Sequence, residues 1–211
     1  MWNCAKNKIT NNTGGDLSII FIRHAITKGN TLGKYIGSTD EDIEPCKMDK
    51  EIFDDTDADM VFLSPMKRCL STASMMFPCD INDFICIDEF REINFGVFEG
   101  KTHKELDGDK HYQQWIDSGA TIKIKGGESK SEFIKRTMKG FERMLGVIER
   151  FNVKENTREN VCNVYAVVHG GTIMSIMSSL FDGDYYDYKV SNLSGVRLII
   201  RRDGSYRGGF L

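Results

Sequence analysis

The sequence predicts an α/β fold, with a mostly parallel central sheet and helices on both faces. Three observations carry this. Short apolar runs at Ile20–Ile22, Met60–Leu63 and Tyr165–Val168 read as strands buried on both faces. Segments with helical caps or helical periodicity separate these runs, and such alternation builds parallel sheets. Two of the runs end abruptly in histidine, at the carboxyl end of a strand where open α/β sheets bind their ligands.

In chain order, residues 1–16 are rich in Asn, Thr and Gly and read as a flexible leader. A single domain is expected over 17–211. Leu17–Arg23 is the first strand. Ala25–Glu44 reads as a loop with a short helix. The acidic stretch Glu41–Asp59 has room for another short helix near Met48–Phe53. Met60–Leu63 is the second strand. Ser64-Pro65 then supplies an N-cap and a first helical residue, for a helix that runs to Met76 and stops before Pro78.

Phe84–Ile87 is a third strand, and Arg91–Gly100 is irregular. Lys104–Trp115 reads as helical. Ser129-Lys130-Ser131-Glu132 is a capping box that opens a helix to about Phe151. Its buried stripe is expected at Ile134, Met138, Phe141, Leu145 and Ile148. Val164–Val168 is followed by a helix from Thr172 to Leu180. Val196–Arg201 and Tyr206–Phe210 form a closing hairpin around Asp203-Gly204.

The chain has 211 residues, a net charge of −3 and a 40% hydrophobic content. No basic stripe is present, which argues against a nucleic-acid partner. No apolar run has the length of a membrane span, and no secretory signal is evident. The six cysteines form no metal-type cluster and read as reduced thiols of a cytoplasmic protein.

Arg23 and His24 close the first strand. A neutral imidazole can attack phosphorus and split a displacement into two steps. One strand-end histidine alone is more often a capped strand end; the adjacent arginine points to an anion such as phosphate. Arg68 falls in the first turn of a helix, where a cation opposes the dipole unless an anion sits between them. Lys67 is the alternative, but only a guanidinium grips phosphate bidentately. His169 precedes Gly170-Gly171-Thr172, where glycines let backbone N–H groups approach an anion. Glu92 is a candidate proton donor, with Asp88, Glu89 and Glu99 as rivals. His103 and His111 read as solvated surface residues.

These residues together resemble the histidine phosphatase superfamily, in its phosphoglycerate mutase-like branch. The family's Arg-His-Gly-x-Thr-x-x-Asn is similar to Arg23-His24-Ala25-Ile26-Thr27-Lys28-Gly29-Asn30. Its Ser-Pro-x-x-Arg-x-x-x-Thr-Ala matches Ser64-Pro65-Met66-Lys67-Arg68-Cys69-Leu70-Ser71-Thr72-Ala73. Glu92, Gly96 and Phe98-Glu99-Gly100 resemble its acid segment, and His169-Gly170-Gly171 its second His-Gly-Gly. Ala25 departs from the family glycine. The acidic stretch lacks the family's Leu-Thr-x-x-Gly.

The resemblance implies a three-layer phosphoglycerate mutase-like fold and a phosphomonoesterase that needs no cofactor or metal. It implies His24 as nucleophile, Glu92 as acid and then base, and Arg23, Asn30, Arg68, His169 and the Gly170 backbone as phosphate ligands. The partner would be a small phosphorylated metabolite. The segment from Tyr112-Gln113-Gln114-Trp115 to Gly126-Gly127-Glu128-Ser129 is similar to α-ribazole phosphatases of cobalamin synthesis, which implies α-ribazole 5′-phosphate as a candidate. Phosphoglycerate mutase-type transfer and a non-catalytic phosphate-binding relative are the alternatives. The mutase insertion is not evident, and the intact set of site residues argues against the second. Tyr35, Trp115 and Glu128, with the Lys123–Lys125 loop, are candidate walls for the rest of the substrate.

Overall fold

The computed structural model describes residues 2–3, 15–45, 58–78, 80–155 and 162–211. Seven strands form one sheet in the order β1-β7-β6-β2-β5-β3-β4. The strands are β1 (Trp2–Asn3), β2 (Leu17–Arg23), β3 (Met60–Leu63), β4 (Ile85–Cys86), β5 (Cys162–Val168), β6 (Gly195–Ile200) and β7 (Tyr206–Phe210). β2, β5, β3 and β4 run parallel. The closing hairpin β6–β7 adds antiparallel to β2, and β1 pairs antiparallel with β7. The start of the expected leader is therefore an edge strand. The Met48–Phe53 helix expectation lies outside the described residues.

The central strands are mostly apolar because both faces are covered, as parallel sheets require. Leu17, Ile19 and Phe21 of β2 join Val164, Ala166 and Val168 of β5 on one face. Ile20 and Ile22 join Tyr165 and Val167 on the other. The first face packs on α4 (Lys130–Glu155) and α5 (Gly170–Leu180), through Phe141, Met144, Ile148, Ile173 and Ile176. The second packs on α2 (Lys67–Met76), through Cys69, Ala73 and Met76. Two shorter helices, α1 (Lys28–Thr31) and α3 (Lys110–Asp117), lie in the connecting segments. A third, smaller cluster joins Phe98, Leu106, Tyr112, Trp115 and Ile124 beneath the loops.

Three elements depart from the sequence reading. α2 begins at Lys67 rather than Pro65, with Met66 as its cap. The helix expected from Lys104 begins only at Lys110. Gly108 adopts φ +80°, and the Asp109 carboxylate accepts the His111 and Tyr112 N–H groups at 2.8 and 3.0 Å. The stop and the cap together set that start.

On α4 the capping box forms as expected: the Ser129 N–H donates to Glu132 and the Glu132 N–H to the Ser129 hydroxyl. Its fully buried stripe, however, is Phe133, Thr137, Phe141, Met144 and Ile148. The stripe turns because Gly140 packs against the turn at Glu89–Phe90, where a Cβ would press on the Phe90 ring.

Among the described residues, no helix is long and apolar enough to cross a membrane. Phe141 ties α4 to the sheet, with its ring 6.2 Å from that of Phe21. Phe141→Ala is expected to cost about 3–5 kcal/mol, read as a lowered urea midpoint with an unchanged slope. A loss below about 1 kcal/mol would show that the site collapses around the deletion.

Candidate active site

Sheet register brings the two histidines together. Arg23 of β2 stands opposite Val168 of β5 in a parallel pair, so His24 and His169 leave the sheet side by side. Their ring centroids are 5.2 Å apart. The neighbouring β3 ends against the same point, and the Ser64 N–H donates to the Val167 carbonyl at 3.1 Å.

His24 is 4% exposed. Its Nδ1 lies 2.7 Å from the Ala25 carbonyl, so the proton resides on Nδ1 and the Nε2 lone pair is free. Burial, then the Arg68 charge, pushes the imidazole pKa down to about 3. The ring is therefore neutral at ordinary pH. The Ala25 N–H donates to Thr72 Oγ1 at 2.9 Å. Asn192 Nδ2 donates to the His24 carbonyl at 2.9 Å and to Asn30 Oδ1 at 3.2 Å. Asn30 Oδ1 also accepts the Thr27 N–H, closing the cap of α1.

Arg68 is 1% exposed. Its Nη1 donates to the Thr39 carbonyl at 2.8 Å and its Nη2 to the Gly37 carbonyl at 3.0 Å. Its Nε donates to His169 Nδ1 at 3.3 Å. With Nδ1 accepting, the His169 proton lies on Nε2, 2.8 Å from Ser64 Oγ. Burial holds His169 well below the usual histidine range. Ser64 thus serves the histidine rather than capping α2. The α2 end instead takes its acceptor from Asp40, whose Oδ1 receives the Lys67 N–H at 2.8 Å.

The segment that holds Arg68 is itself held by Glu99. Its Oε1 accepts the Gly37 and Thr39 N–H groups at 2.7 and 2.9 Å. Gly37 has no room for a Cβ, which would overlap the Ile93 carbonyl.

The Arg23 guanidinium donates to the Val190 carbonyl at 2.8 Å and lies against Gly170. Its buried Nε has no partner among the described residues. Among the described residues neither Arg23 nor Arg68 forms an ion pair with a carboxylate. Two cations, the N–H groups of the first turn of α5 and the two imidazoles can surround one tetrahedral dianion.

Glu92 completes the arrangement. Its carboxylate accepts the Ile93 N–H at 2.9 Å and the Gly171 N–H at 3.2 Å. Burial raises its pKa, against the pull of these N–H groups and of Arg68. The rival carboxylates are engaged elsewhere. Asp88 pairs with Arg91, Glu89 with Arg143 and Glu99 with the Gly37–Thr39 backbone.

Tyr35 and Trp115 line a cleft of about 180 Å³ that also reaches Glu92 and Gly171. Glu128 does not line it: its carboxylate pairs with Arg136 at 2.8 Å and accepts the Asn94 N–H at 2.9 Å. That pair steadies the Glu92 segment, since Arg136 also donates to the Glu89, Arg91 and Glu92 carbonyls. In the Lys123–Lys125 loop, Lys123 is taken by Glu132. Sequence reasoning missed Ser64 as a histidine partner, Asn192, Lys130 and the Tyr185-Tyr186 pair. Of these only the aromatic doublet after Asp182-Gly183-Asp184 carried a visible signal.

A family model described as the histidine phosphatase superfamily (branch 1) matches residues 19–206. Phosphoserine phosphatase 1 of Hydrogenobacter thermophilus is 26% identical over 132 residues, spanning 59% of this chain and 62% of that protein. The α-ribazole phosphatase of Shigella flexneri superposes with a TM-score of 0.71 at 20% identity, over 90% of this chain and 93% of that one. A phosphoserine phosphatase of Entamoeba histolytica, solved with 3-phosphoglyceric acid, gives 0.70 at 24% identity, over 92% and 96%. The two superpositions show a shared fold.

The two glycines after His169 are not equivalent. A Cβ at Gly170 would rest 3.6 Å from the Arg23 side chain, whereas one at Gly171 would overlap Glu92 Oε1 and crowd Phe133. Gly171→Ala is expected to lower the melting temperature by several degrees and Gly170→Ala to leave it within a degree or two. Equal shifts in a thermal scan would contradict this packing.

Proposed function

The chain belongs to the histidine phosphatase superfamily, and we propose that it is a phosphomonoesterase acting on a small phosphorylated metabolite through a phosphohistidine. One observation carries the reading. Two guanidiniums without carboxylate partners among the described residues meet two neutral imidazoles and a buried glutamate at one point.

His24 Nε2 attacks phosphorus as the ester P–O bond breaks. Its tautomer is set by the Ala25 carbonyl, so no proton has to leave before the attack. Glu92, whose pKa burial raises, passes a proton to the departing alkoxide. The carboxylate then takes a proton from water as the water oxygen attacks phosphorus. The P–N bond breaks and inorganic phosphate leaves. Phosphoryl transfer asks mainly for positioning and charge stabilisation; Arg23 and Arg68 supply the charge, and His169 positions Arg68 through Nδ1. α-Ribazole 5′-phosphate is the first metabolite to assay.

His24→Ala is expected to abolish the acid-labile phosphoenzyme and to lower turnover by at least about 10⁴-fold. Labelling that survives in this variant, followed by quench and gel with radiolabelled ester, would remove His24 as nucleophile.

Glu92→Gln is expected to slow alkyl esters by about 10²–10⁴-fold, while the phosphoenzyme-forming burst with p-nitrophenyl phosphate slows far less, because that leaving group needs no proton. The sign of the pH dependence follows. The acid is present below the raised Glu92 pKa, so alkyl-ester turnover falls as pH rises through it. His24, with a pKa near 3, contributes no change there. The falling limb should vanish in Glu92→Gln, and a pH profile that keeps it would assign the acid to another group.

A further inference from the structure

The cleft beyond Glu92 is built for more than phosphate. Its walls are Tyr35, Phe95 and Trp115 on one side and Tyr185, Tyr186 and Met174 on the other. Because it shares Glu92 and Gly171 with the phosphate site, whatever fills it is joined to the ester oxygen. Building on the phosphatase reading above, we propose that the alcohol part of the substrate carries a flat aromatic ring, and that this cleft binds the ring.

The walls are preset for a ring. Tyr35 lies edge-on to Trp115 with centroids 5.7 Å apart, and 5.1 Å from Phe95. Tyr185 and Tyr186 lie edge-on to each other at 5.1 Å. Together they present both faces and edges, the arrangements that aromatic pairs prefer. Two of the polar ends are already used. The Tyr35 hydroxyl is 2.8 Å from that of Tyr112, and the Tyr185 hydroxyl donates to the Gly171 carbonyl. The space of about 180 Å³ compares with the ~150 Å³ apolar cavity that takes up benzene.

The charges argue in the same direction. Among the described residues, the charged side chains lining the cleft are Glu92 and Lys130. A zwitterionic amino-acid ester brings an ammonium and a carboxylate, and each needs a partner when buried. Burial disfavours the charged form of Glu92, which makes it a poor partner for an ammonium. Lys130 already donates to the Gly119 carbonyl at 2.9 Å, with its Nζ 5.5 and 5.6 Å from the Tyr185 and Tyr186 ring centroids. That cation enriches the aromatic wall and leaves the cleft better suited to a ring than to a zwitterion.

The test compares kcat/KM for ethyl phosphate, 2-phenylethyl phosphate and O-phospho-L-serine, three esters of unactivated alcohols, with p-nitrophenyl phosphate as a measure of phosphatase chemistry. The phenylethyl ester is expected to exceed the ethyl ester by tenfold or more, the scale set by burying a phenyl ring. In Tyr186→Ala, which removes an exposed wall residue, that ratio should fall toward one. A ratio near one in the wild type would overturn the ring. So would a preference for phosphoserine that Lys130→Gln abolishes, since it would give the cleft to a carboxylate. Inactivity toward all four esters would instead overturn the phosphatase reading, and the ring with it.

Discussion

The architecture depends on holding a buried guanidinium without neutralising it. Placing an unpaired charge out of water is costly, and a carboxylate beside Arg68 would be the simple remedy. The fold uses carbonyl dipoles instead. Gly37 and Thr39 accept from the two Nη atoms, and His169 accepts from Nε. Glu99 binds the N–H groups of those same two residues, one covalent step further out. Its negative charge steadies the segment without contacting the cation, so the positive field stays directed at the strand ends. The family glutamate of Phe98-Glu99-Gly100 thus has a physical role in this chain: it orients the carbonyls that solvate Arg68.

The same field sorts the titratable groups. Burial comes first for all three, yet it acts in opposite directions. It disfavours the charged imidazolium of His24 and His169, and there the arginine charges add to the effect. It disfavours the charged carboxylate of Glu92, and there the arginines oppose it. The result is two imidazoles held neutral and one carboxyl with a raised pKa, all within the field of the same two cations. Environment, rather than residue type, assigns these roles.

Much of this was legible in the sequence, because it rests on strands. The runs Leu17–Arg23 and Met60–Leu63 fall on their strands residue for residue, since a strand buried on both faces leaves an unbroken apolar run. Parallel register then fixes His24 beside His169 with no further information. Arg68 sat in a motif, and the structure turns it toward the strand ends. What failed to show was decided by contacts between distant segments. Ser64 reads locally as a cap, but His169 claims its hydroxyl from 105 residues away. Asp40 caps α2 from 27 residues away. The buried stripe of α4 turns because Gly140 meets Phe90, a contact that no helical periodicity contains. Glu128 looked like a pocket wall, and Arg136 fixes it behind one.

The division between the two halves of the site follows from the same contrast. The end that carries the two histidines and arginines stands on strand termini and the first turns of α2 and α5, where backbone geometry leaves little freedom. The cleft is assembled from segments that share no register: Tyr35 and Phe95 from loops, Trp115 from α3, Lys130 from the start of α4, and Tyr185-Tyr186 from a single helical turn. The Tyr185 hydroxyl ties this cleft to α5 at the Gly171 carbonyl. Strand ends and first helical turns fix His24, His169 and Arg68, whereas loops and short helices supply most of the cleft walls, and the two halves meet at Glu92 and Gly171.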